Sequence, residues 1–72
     1  MDNTCLKIGN ALKKIRLDRK LSQEDFGELI QVHRTYVSPL ESGRKNPSIL
    51  TLKKISDNLK ISLTDFFKLA DL

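Results

Sequence analysis

Cysteine and histidine, the side chains that metal sites and many catalytic centres draw on, occur once each in this sequence of 72 residues. A lone thiol, Cys5, can neither close a disulfide within the chain nor anchor a metal cluster, and its plain reading is an inert thiol near a loose N-terminus. His33 has no acid, thiol or second imidazole at ligand spacing, so a role in a turn is expected of it. No set of carboxylates converges either. These shortages argue against an enzyme, a metal site or a cofactor. No apolar run approaches membrane length and no charged-then-apolar leader opens the sequence, so a soluble, cytoplasmic protein with no membrane partner is expected. Repeats and low-complexity stretches are lacking, and nowhere do apolar and polar residues alternate with period two. With 39% apolar residues, the chain can fill one small core, which predicts a single domain over 1–72 with no deep cavity for a small-molecule ligand.

Charge is present in excess of one sign. The net charge is +4, and it comes in blocks. Lys7, Lys13, Lys14, Arg16, Arg19 and Lys20 stand against only Asp2 and Asp18 in the first twenty residues. Glu24, Asp25 and Glu28 then follow without a basic residue, and Arg34, Arg44, Lys45, Lys53, Lys54 and Lys60 restore the excess. A modest basic balance is often only a solvated surface, but alternating blocks suggest one positive face, as a binder of a polyanion would have.

Five helical segments can be read from apolar spacing and capping signals. The first runs over about 4–20, with Ile8, Leu12 and Ile15 at helical intervals. Ser22 caps the second and forms a capping-box-like pair with Asp25; Phe26, Leu29 and Ile30 form its apolar stripe. After a short break at 31–32, a third segment covers about 34–42 and ends at Gly43, a position that tolerates a left-handed residue. Ser48 caps a fourth over about 49–59, and Ser62 with Asp65 opens a fifth over about 62–70. The expected fold class is all-α, and the short link between the second and third segments forces a sharp angle.

The frame LSQEDFGELIQVHRTYVSPLESGRKNPSILTLKKISDNLKISLTDFF resembles the phage-repressor (Cro/Xre-like, lambda-repressor-like) helix-turn-helix family. The resemblance covers about residues 6–68. It rests on Ser22-Gln23, Phe26-Gly27, Val32, Val37, Leu40-Glu41, Gly43, Asn46-Pro47-Ser48, Leu52 and Ile61-Ser62-Leu63. Within the family, HRTYVS is most similar to the controller proteins of restriction–modification operons. The resemblance implies a compact five-helix domain with its helix-turn-helix at about 22–42, double-stranded DNA as partner, and a homodimer formed through the helix at about 62–70. Three positions depart from the family pattern and bear on turn geometry: His33 where Ser or Thr is usual, and Gln31 and Lys60 where Gly is usual.

In the third segment Val37 and Leu40 point inward with Glu41 at their edge. Thr35, Ser38, Pro39 and Ser42 point the other way, and Arg34 and Tyr36 lie on the flanks. Apart from Arg these are poor helix formers, unlike the Glu, Lys and Ala of an ordinary solvated face, and they can touch bases or phosphates. Arg34 at the helix start has the fork that bonds guanine O6 and N7 together; a plain phosphate clamp is its alternative. Thr35 and Ser38 can bond base edges or phosphate. Tyr36 can pack on a thymine methyl, reach a phosphate or serve helix packing. Family resemblance implies that Arg34, Thr35, Tyr36 and Ser38 face DNA. It implies backbone contacts from Gln23, Lys45 and Asn46, to which Arg44 and Ser42 are added, and a structural ion pair between Arg16 and Glu41. Gln23 also lies at a helix start, where free N–H groups favour a phosphate.

Pro39 interrupts this helix. An interior proline removes a backbone bond and costs about 3 kcal/mol. The carbonyl it orphans belongs to Thr35, also on the outward face, where water can satisfy it. Pro39 cannot donate, so it reads at most by shape, against a thymine methyl for instance.

In the fifth segment, Leu63, Phe67 and Ala70 form one stripe and Phe66 and Leu69 a second. A domain this small is expected to bury one and leave the other, Phe66 and Leu69, as a dimer interface; the competing reading puts both phenylalanines in the monomer's own core. The function expected is a sequence-specific transcription regulator acting as a homodimer on a palindromic operator, a restriction–modification controller of its own operon being one form of it. An antitoxin that binds a toxin and represses its operon is the alternative. Such proteins usually carry an extension to wrap the toxin, and the last residue here is Leu72.

Overall fold

Residues 2–72 are described by the structure, a computed structural model. Five helices follow in order: α1 (Thr4–Asp18), α2 (Gln23–Ile30), α3 (Arg34–Glu41), α4 (Ile49–Leu59) and α5 (Leu63–Leu69). Three start on serine caps. Ser22, Ser48 and Ser62 hold extended backbone, and their hydroxyls accept from the N–H groups of Asp25, Thr51 and Asp65 at 3.0–3.1 Å, each satisfying an otherwise orphaned donor. Ahead of α1, Asp2 accepts from the Thr4 hydroxyl and backbone N–H, and those bonds hold its carboxyl below the usual aspartate range.

Gln31 and Lys60 end α2 and α4 in left-handed conformations, with φ of 61° and 64°. Side-chain-bearing residues thus hold the left-handed turns that glycine takes most easily, at roughly 1–2 kcal/mol per residue for crowding Cβ against the next carbonyl. The helix-turn-helix corner carries side-chain ties: Lys54 Nζ donates to the Gln31 carbonyl at 3.0 Å, and Asn58 Nδ2 to that of Ile30 at 3.5 Å.

Apolar spacing explains the packing. Ile8, Ala11 and Leu12 of α1, Phe26 and Ile30 of α2, Val37 and Leu40 of α3, Leu52, Ile55 and Leu59 of α4, and Phe66 with Ala70 at the end of the chain form one core. α3 packs between α1 and α2, α4 lies against α2 and α5, and α5 reaches back to α1. At Gly9 the approach of α1 to α3 leaves no space for a side chain: a Cβ would fall 2.5 Å from the carbonyl oxygens of Leu40 and Glu41.

One expectation about α5 is corrected here. Phe66 is 1% exposed and belongs to the core, whereas Leu69 is 58% exposed. On a 3.6-residue helix Phe66 and Ala70 are stacked neighbours on one face, and that is the buried face; Leu63 and Phe67 are half-buried at its margins. Phe66 is therefore not available to a second protomer, and the two-stripe division does not hold.

Candidate nucleic-acid interface

His33 starts α3. Its Nδ1 accepts from the Thr35 N–H at 3.2 Å and stands 2.7 Å from the Thr35 hydroxyl, so the imidazole does the work of the usual Ser or Thr cap. With its hydrogen turned toward His33, the Thr35 hydroxyl keeps lone pairs free to accept from outside. Beside it Arg34, Thr35 and Ser38 are exposed, while Tyr36 and Pro39 are half-buried. Arg34 Nη1 donates to Glu24 Oε2 of α2 at 3.0 Å.

The far end of α3 leads into a basic loop through a closed hydrogen-bonding pattern. The Gly43 N–H bonds the Leu40 carbonyl at 3.3 Å, and the Arg44 N–H bonds that of Pro39 at 3.0 Å, the paired bonds of a Schellman ending. Ser42 Oγ donates to the Pro39 carbonyl at 3.1 Å and accepts from Arg44 Nε at 3.0 Å. Lys45 Nζ lies 5.9 Å from the centre of the Tyr36 ring, over its face, within cation–π range. Asn46 is exposed. One continuous surface thus brings together Arg34, Thr35, Ser38, Ser42, Arg44 and Lys45, with Tyr36 and Pro39 half-sunk within it.

Behind that surface, Arg16 Nε donates to Glu41 Oε2 at 2.7 Å and Arg16 Nη2 to Glu41 Oε1 at 3.2 Å. The side chains are 11% and 4% exposed. Arg16 Nη1 also donates to the Leu21 carbonyl at 3.0 Å, and Gln23 Nε2 to Glu41 Oε1 at 3.2 Å. Gln23, expected at a phosphate, has its amide turned inward to this carboxylate, leaving one N–H for an external group. Among the described residues no buried side-chain polar atom lacks a partner.

A cleft of about 120 Å³ opens beside Gln23 and is lined also by Lys13, Ser38, Glu41 and Ser42. Lys13 is a basic group that motif reading passes over. Its only sequence signal is its place one turn before Arg16 in α1, and that becomes meaningful once Arg16 is known to face Glu41. Glu24 escapes motif reading too, because its partner lies ten residues on, across the turn.

No helix among the described residues is long and apolar enough to cross a membrane. A family model described as helix-turn-helix matches residues 12–66. The chain is similar to the control protein C.MunI of a Mycoplasma species, with 43% identity over 68 residues, 93% of this chain and 92% of that protein. Among solved structures it is similar to the restriction-modification controller protein C.AhdI from Aeromonas hydrophila, with a TM-score of 0.78 and 32% identity over 88% of this chain and 96% of that one. It is also similar to the clp gene regulator ClgR from C. glutamicum, with a TM-score of 0.84 and 28% identity over 99% and 92% of the two chains.

Proposed function

The chain belongs to the helix-turn-helix family of DNA-binding transcription regulators, of the Cro/Xre type, and from that premise we propose that it acts as a homodimer on a palindromic operator, as a controller of a restriction–modification operon. Its relatives are regulators and not enzymes. In the proposed complex α3 enters the major groove, with Arg34, Thr35, Tyr36, Ser38 and Pro39 toward base edges. Gln23, Ser42, Arg44, Lys45 and Asn46 meet the sugar–phosphate backbone, whose contacts fix register without carrying sequence information directly.

The observation that carries this reading is the two-sidedness of α3. Its rear is fixed to α1 and α2 through Glu41, Val37 and Leu40, while its front presents exposed donors and acceptors beside a basic loop. One such helix spans only a few base pairs, so a dyad of two is needed for a usable site. Leu69 and Leu72, both at least half exposed, support a docking surface at the end of α5. Beside Leu69, a cleft of about 260 Å³ lies against Lys7, Asn10 and Lys14 of α1. The controller assignment is supported by C.MunI and C.AhdI, each named as a control or controller protein.

Selection of duplexes from a randomised pool tests the reading. The enriched sequence should contain two inverted half-sites about one helical turn apart, and sedimentation should show a dimer at micromolar concentration. A single, unrepeated half-site together with a monomer at high micromolar concentration would refute the dimeric mode.

A further inference from the structure

Arg34 and Glu24 form an ion pair at the front of the molecule, and the fold gives little reason for it. The contact is 3.0 Å long between side chains that are 62% and 66% exposed, and such exposed pairs add little to folding. Glu24 also lies in the first turn of α2, where unbonded N–H groups and the helix dipole would otherwise draw a phosphate. A carboxylate there repels the very polymer the surface is to meet. Arg34 gives Glu24 only Nη1; among the described residues no other side chain or carbonyl accepts from its guanidinium. Its remaining N–H groups are free, and two adjacent ones suffice for guanine O6 and N7.

We propose that Glu24 is a positioning and discriminating residue of the DNA interface: it tethers one corner of the Arg34 guanidinium so that the rest is offered to guanine, and it keeps Arg34 from phosphates. The proposal rests on the reading of Arg34 as a base reader. On a matching duplex, guanine takes the free edge and the tether stays. On a mismatched duplex only phosphates are within reach, and Arg34 gets to them by leaving Glu24 unpaired in the field of the backbone. The penalty falls on the wrong DNA, which is how specificity arises from repulsion as well as attraction. While the tether holds, the pair is neutral and Arg34 contributes nothing to counterion release.

The test uses the full chain, a duplex enriched by the unchanged protein from a randomised pool, and a random-sequence duplex of equal length. Both are titrated at several salt concentrations with Glu24→Gln, Arg34→Ala and the double variant. Glu24→Gln should raise affinity for the random duplex roughly tenfold and for the enriched duplex by less, lowering their ratio. It should also steepen the random-duplex slope of log affinity against log salt by about one unit per protomer. With Arg34→Ala already present, Glu24→Gln should shift both affinities alike and leave their ratio and the relative slopes unchanged. Equal effects on both duplexes in both backgrounds would make Glu24 a surface charge and overturn the proposal. So would loss of preference at a cytosine position that persists without Arg34, since Glu24 would then be reading that base itself. A base-reading role for Arg34 fails by a different result, equal weakening of both duplexes by Arg34→Ala alone. The tether is judged separately, by whether the slope change needs Arg34.

Discussion

Arg16 and Glu41 meet two atoms to two, Nε to Oε2 at 2.7 Å and Nη2 to Oε1 at 3.2 Å, so α3 is bolted to α1 by a near-dry bidentate pair. Removing Arg16 strands the buried Glu41 carboxylate, left with only the Gln23 amide, and takes the donor from the Leu21 carbonyl. Arg16→Ala should lower stability by about 3–5 kcal/mol, enough to lower the melting temperature by well over 10 °C in a domain of this size. Thermal melts followed by circular dichroism check this; a melting point within a few degrees of the parent would show the pair to be energetically idle.

The two ends of the α3 surface should respond differently to truncation. Arg34→Ala should weaken an enriched duplex far more than a random one, with about 1–3 kcal/mol of discrimination removed at one base position per half-site. Lys45→Ala should weaken both equally and flatten the salt slope by about one unit for each phosphate that the ammonium neutralises. Titration of both duplexes across a salt series decides between reader and clamp for each residue.

In α5 the burial difference predicts opposite fates for residues three apart. Phe66→Ala should cost about 3–5 kcal/mol by emptying the core and leave little folded protein at 37 °C. Leu69→Glu should melt like the parent and sediment as a monomer where the parent sediments as a dimer. A Leu69→Glu variant that remains dimeric would move the interface elsewhere.

Pro39→Ala should stabilise the monomer. An interior proline costs about 3 kcal/mol, and up to about 1 kcal/mol of that is returned through the restricted unfolded chain, so a net gain of about 2–3 kcal/mol is expected. A fall in melting temperature on substitution would mean that the half-buried ring packs better than its missing hydrogen bond suggests.

Much of the architecture was legible because local signals agreed with one another. Serines at 22, 48 and 62 open three helices where the capping signals placed them, and the stripe of Val37 and Leu40 fixed which side of α3 turns inward. The errors lie where tertiary contact decides. Phe66 and Phe67 are indistinguishable by composition, and only the direction from which α1 and α4 approach makes Phe66 the buried one. Gly9 carries no motif, yet the closeness of α1 to α3 depends on it. The bond from the Gln23 amide to Glu41 was illegible because the helix-start argument does not include a carboxylate arriving from α3, and it leaves the second amide N–H for the proposed backbone contact. Arg34–Glu24 has no periodic spacing to betray it, since its two residues lie on different helices.

α3 is also pinned along its length. At its start a Cβ on Gly27 would come within 3.2 Å of the Arg34 Cα, and at its end one on Gly9 would strike the carbonyls of Leu40 and Glu41; the Glu41 pair closes the same end. In the proposed complex, a helix held this way would have little play with which to follow the groove. The compliance would then come from the duplex, and the mechanical softness of base pairs that no side chain touches would become part of the code. In a dimeric complex the steps between half-sites would set the bending energy, with pyrimidine–purine steps yielding most easily and A-tracts resisting. Exchanging those central pairs while keeping both half-sites should change affinity by amounts that track stacking flexibility and not hydrogen-bonding pattern.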